Sequence, residues 1–142
     1  MPRGVHVDVP VQVAFDYFVD PHQRPRWQSS LARVEDVDGE PRVGQTWVDV
    51  TKPGLKPRMR TTELDRPHRW TEVGTWHGVS ATLTLVFAPA GPQACLVEAT
   101  MRLRGRGLLA LPVAALNRLA PLAVRADLTK AAKILAGHPS AG

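Results

Sequence analysis

Cysteine is nearly missing: Cys95 is the one thiol among 142 residues, so no internal disulfide can form and a reducing compartment suffices. Long apolar runs are missing too. No stretch approaches the roughly 20 uninterrupted apolar residues of a membrane-spanning helix. The opening "MPRGVHVDVPVQ" lacks the apolar centre of a signal peptide, and a cytoplasmic location is expected. Metal-ligand spacing is absent. His6, His22, His68, His77 and His138 form no H-x-x-x-H pair, and Cys95 has no partner cysteine, so no metal is expected. "HGVSA" around Ser80 lacks the second glycine of a nucleophile elbow, which argues against covalent hydrolase chemistry. Acidic residues are in deficit, 13 against 18 basic, for a formal net charge of +5.

What is present suits one soluble globular domain spanning 1–142, with 137–142 as a tail: 44% hydrophobic and 22% charged residues. "VHVDVPV" alternates valine with polar residues as a half-buried strand does. Pro10 then introduces "VQVAFDYFV", where Val11, Phe15 and Phe18 share a helical face. In "DPHQRPRWQSSL", Asp20 is a good N-cap and Pro21 a good first helical residue, and Pro25 should break this second, short helix. Six strand-length segments follow: "RVEDVDGE", "RVGQTWVDVT", "PRMRTTELD", "HRWTEVGTW", "VSATLTLVF" and "ACLVEATMRLR". Short turn signals separate them, as antiparallel hairpins require. In the last two, odd positions are apolar and even positions polar, so the sheet has a core face and a water face.

A terminal helix is predicted over 113–135, roughly 35 Å long at 1.5 Å per residue, with Pro121 kinking or dividing it. Arg118, Arg125, Thr129 and Lys133 form its polar stripe. Leu109, Leu116, Ala120, Ala123, Ala131 and Ile134 cluster opposite, and Asp127 falls among them. "GRGLLA", residues 105–110, imitates a G-x-G-x-x-A nucleotide fingerprint, but that motif needs a further parallel strand after the helix, and here the chain ends.

The motifs carry a resemblance. "D-x-P" at Asp8 to Pro10, the aromatic Phe15, then Asp20-Pro21 and Trp27, with the closing "LAPLAVRADLTKAAKILAG", resemble the START-like (SRPBCC) superfamily, in particular its polyketide cyclase/dehydrase-like branch. That resemblance spans nearly the whole chain. It implies an α+β helix-grip fold: a seven-stranded curved antiparallel sheet wrapped on a long C-terminal helix, with two short helices after the first strand. It also implies a hydrophobic small-molecule ligand, polyketide-like or lipid-like, held between sheet and helix, with cofactor-free cyclisation or dehydration as the possible chemistry.

Alanines at 120, 123 and 131 are small enough to leave a gap there, or to let helix and sheet pack closely. The expected lining draws Phe18 and Leu31 from the early segments, and Trp47, Met59, Trp70, Trp76, Leu83, Leu85 and Met101 from the strands. The helix adds Leu116, Ala120 and Ala123. Asp127 reads either as a cavity-facing acid or as an i,i+3 partner of Lys130. Glu72 shares strand parity with Trp70 and Trp76, so it faces inward if they do, and Asp127 with Glu72 would make an acid–base pair. Tyr17 completes the catalytic candidates. Two other readings stay open. One is a lipid carrier touching anionic membranes transiently through the basic hairpin of Lys52, Lys56, Arg58 and Arg60; Arg102, Arg104 and Arg106 alternate at the end of the last strand and make one of its faces cationic. The other is a protein-interaction module. Nucleic acid is not expected, since no aromatic row accompanies the arginines.

Overall fold

The computed structural model describes residues 4–105, the backbone of 110–120, and 121–137 in full. Its strands are β1 (Val5–Val7), β2 (Leu31–Glu35), β3 (Thr46–Thr51), β4 (Arg58–Asp65), β5 (Arg69–Trp76), β6 (Val79–Pro89) and β7 (Cys95–Gly105); its helices are α1 (Val11–Val19), α2 (Arg24–Trp27) and α3 (Ala110–Ala136). All strands join one antiparallel sheet in the order β1-β7-β6-β5-β4-β3-β2. This is the helix-grip arrangement expected from the sequence.

Local chemistry explains the elements. Pro10 stands at the N-terminal boundary of α1, where a missing N–H removes no helical bond, and Ala14, Phe15 and Phe18 fall on its buried side. Asp20 accepts a hydrogen bond from the backbone N–H of His22 at 3.0 Å and starts a 3₁₀ turn over Pro21–Gln23. Pro25 does not break the next helix. It sits in the first turn of α2, where proline is tolerated. Two residues, His77 and Gly78, connect β5 to β6, both at positive φ (42° and 78°), as the tight turn of a right-twisted hairpin demands. β2 is shorter than expected: Asp36 turns the chain at φ 53° and ends it.

α3 runs unbroken through Pro121, because one missing N–H removes a single rung from a 27-residue ladder. Among its described side chains, from 121 onward, the buried positions are Leu128, Ala131 and Leu135. Ala123 and Leu122 are exposed, so the covered face is rotated from the predicted one.

The core lies where α1 and the C-terminal part of α3 meet β1, β6 and β7. Phe15 meets Phe87 edge-on with centroids 5.0 Å apart, and Phe18 meets Trp27 at 5.1 Å, geometries that suit aromatic quadrupoles. Val7, Leu85, Cys95 and Val97 pack around these rings. Towards β3–β5 the concave face is less completely filled.

Candidate functional site

Strand register puts small residues in the middle of the concave face. Met59 of β4 pairs with Gly74 of β5, which pairs with Ala81 of β6, which pairs with Leu103 of β7. Two missing large side chains in one cross-strand row leave a hollow of about 320 Å³, at the small end of the range of about 300–1,000 Å³ for ligand sites. The adjoining row adds Glu72, Leu83 and Met101 to its lining. Leu31, Met59, Leu83 and Met101 provide apolar wall, and Gln28, Ser30 and Thr51 add polar groups. Trp76, 38% exposed, stands at the rim.

The deep end is charged. Arg24 and Glu72 are each only 2% exposed. The guanidinium donates two parallel hydrogen bonds to the carboxylate, Nη1 to Oε2 at 2.6 Å and Nη2 to Oε1 at 2.7 Å, the bidentate geometry that compensates best for burial of two charges. Arg24 Nε donates to Gln28 Oε1 at 2.9 Å, and Nη2 also donates to that oxygen. The Trp27 and Trp70 rings lie 5.0 and 5.6 Å from the guanidinium carbon, close enough for cation–π attraction. The short helix α2 creates this arrangement, since positions 24, 27 and 28 fall on one side of a single turn. Burial works against the charge on Arg24, but the facing Glu72 carboxylate holds its pKa above the ordinary value.

Asp49 completes the cluster. It is buried on β3, two residues from Trp47 and on the same face, and the Trp47 indole donates to its Oδ1 at 3.0 Å. Burial pushes its carboxyl up to about 6, against the opposing pull of the Arg24 guanidinium. An acid of that strength lining a cavity can give or take a proton near neutrality.

The candidates from the sequence separate into groups. Leu31, Met59, Trp76, Leu83, Met101 and Glu72 border the hollow. Phe18, Trp70 and Leu85 are fully buried in the packed interior. Trp47 is buried and serves Asp49. The side chains of Leu116 and Ala120 lie outside the described residues, as does Arg106. Glu72 faces inward as its parity required, but its partner is Arg24. Asp127 accepts from the Ser29 backbone N–H at 3.3 Å and from its hydroxyl at 2.9 Å. It therefore ties α3 to the turn after α2, whereas the sequence suggested Lys130 or the cavity. The Tyr17 hydroxyl is buried with no hydrogen-bond partner among the described residues; burial raises its pKa, with Arg26 drawing it back, and it does not border the hollow. In the basic hairpin, Lys56 bonds Glu35 at 3.2 Å. No group of three metal-binding side chains occurs among the described residues, nor is any described helix long and apolar enough to cross a membrane.

Arg24, Gln28 and Asp49 escaped the sequence reading. Asp49 had a usable signal: in "TWVDV" it shares parity with Trp47 and must face the same way. Arg24 had an indirect one, because an inward Glu72 requires a buried cation.

A family model described as polyketide cyclase / dehydrase and lipid transport matches residues 3–138. No curated protein matches the sequence. Among solved structures, the di-domain ARO/CYC BexL from the BE-7585A biosynthetic pathway superposes with a TM-score of 0.71 at 16% identity, over 89% of this chain and 43% of that one. The chain thus spans less than half the length of that relative. Norcoclaurine synthase from Thalictrum flavum, in complex with dopamine and hydroxybenzaldehyde, gives 0.68 at 16% identity, over 95% and 84% of the two chains. The protein XoxI from Bacillus cereus gives 0.71 at 9% identity, over 93% and 92%. At these identities the likeness is one of fold.

Proposed function

We propose a function from the premise that the chain belongs to the polyketide cyclase / dehydrase and lipid transport family: the hollow on the concave sheet face binds a compact apolar or aromatic small molecule. The observation that carries this reading is the pairing of apolar walls with a small set of buried polar groups at one end. Leu31, Met59, Leu83 and Met101 face the space that Asp49 and the Arg24–Glu72 pair also border. Apolar surface supplies affinity, and a few fixed polar groups supply orientation. The volume favours a molecule of one to three rings over a long acyl chain. The site also supports cofactor-free acid–base chemistry at Asp49, which borders the hollow and titrates near neutrality. Neither Asp127 nor Tyr17 borders it.

A neutral aromatic probe tests the reading. Titration with 1-naphthol should quench tryptophan fluorescence saturably, because Trp76 lines the space. Met101→Trp, a substitution at a half-buried position, should fill the hollow and weaken binding at least roughly tenfold, with an unchanged circular dichroism spectrum. Undiminished affinity in the folded variant would place the probe elsewhere and refute the proposal.

A further inference from the structure

Resting on the binding site just described, we infer that the ligand carries a protonated amine, held against Asp49 at the deep end of the hollow. Charge balance makes the case. Two buried carboxylates, Glu72 and Asp49, face one buried guanidinium, Arg24. Glu72 takes two of Arg24's five N–H donors, and Gln28 takes two more. Asp49 is left, among the described residues, with a single side-chain donor, the Trp47 indole. A buried carboxylate with one neutral donor is under-compensated, since an ionised group away from water needs an opposite charge or several hydrogen bonds. The protein meets that demand in part by letting Asp49 keep its proton to about pH 6. Above that pH the cluster carries one negative charge too many, and it does so beside a space of about 320 Å³ that Asp49 lines.

A cation in that space would restore balance without displacing Glu72 from Arg24. Among small molecules, an ammonium group on an apolar ring body meets both requirements. The charge faces Asp49, and the ring lies along Leu83, Met101 and Met59. A ligand carboxylate or phosphate would meet a cluster with no spare positive charge. The charged groups around Asp49 are few. Arg24 faces it from α2 and Glu72 from β5, with Asp127 of α3 acting on Arg24. On its neighbour β2, Arg33 and Glu35 pair with each other at the surface.

Calorimetric titration with matched amines and alcohols tests the inference: phenethylamine with 2-phenylethanol, tryptamine with tryptophol, and 1-naphthylmethylamine with 1-naphthalenemethanol. At pH 8 at least one amine should bind roughly tenfold or more tighter than its alcohol, and at pH 5, with Asp49 protonated, that preference should shrink to about threefold or less. Asp49→Asn should show no amine preference at either pH. Alcohol binding with no amine preference at pH 8 would overturn the amine assignment and leave the apolar site standing. So would a preference that persists unchanged at pH 5, an arm that needs no variant to fold. Failure of every amine and every alcohol to bind would overturn the site itself.

Discussion

Arg24 and Glu72 illustrate how much a single pair of side chains can control. Separately, each is a charge in a place where a charge is unfavourable. Together they form a closed two-point contact between the start of α2 and the middle of β5. Replacing Glu72 with Ala strands the guanidinium and should destabilise the fold by about 3–5 kcal/mol. The double replacement Arg24→Met with Glu72→Leu should recover most of that loss, because desolvation is then no longer required of either group. Urea unfolding of Arg24→Met, Glu72→Leu and the double checks this through the coupling term. Asp49 gives a second expectation, with a sign fixed by its raised pKa. In the native state it holds its proton up to about 6, while an unfolded aspartate releases it near 3.8. Between those values the native state binds more protons, so its contribution favours folding at low pH and falls as pH rises from about 4 to 6. Above that range a constant penalty of about 3 kcal/mol remains, to order of magnitude. Asp49→Asn should therefore show a flatter stability profile between pH 4 and 6 than wild type, and higher stability relative to it at pH 8. Equilibrium unfolding at several pH values measures both.

At the scale of elements, small residues on adjacent strands create the hollow, and the register of β4, β5 and β6 aligns them. Gly74 is the sensitive point. A methyl group there would lie 2.7 Å from the Met59 sulfur and 3.0 Å from its terminal carbon. Methionine is flexible enough to move aside, and Met59 lines the hollow. Gly74→Ala should accordingly cost less than about 1.5 kcal/mol in stability yet weaken binding of a naphthalene-sized probe roughly tenfold. Parallel urea denaturation and fluorescence titration would separate the two effects. The same scale explains Asp127. A carboxylate on the inner side of a helix wheel reads as a ligand contact until the neighbouring element is placed. Ser29, in the turn after α2, is 98 residues away in sequence and supplies both hydrogen bonds.

For the molecule as a whole, the order of elements, the alternation along β6 and β7 and the caps around Pro10 and Asp20 were legible in the sequence, because local sterics and period-two or period-3.6 burial leave direct marks on residue order. The inward direction of Glu72 was legible for the same reason. The identity of its partner was not, since an ion pair spanning 48 residues leaves no periodic trace. Nor was the source of the hollow. The sequence pointed to alanines on the terminal helix, whereas Ala131 packs into the core and Ala123 faces outward. Gly74 and Ala81 became neighbours only when antiparallel register brought their strands together. The sequence alone thus determined the order of elements and which strand faces are apolar, through chain stereochemistry and hydrophobic pattern. The tertiary structure alone decided where space is left and which charge answers which, because cavities and buried ion pairs arise between segments that are distant along the chain.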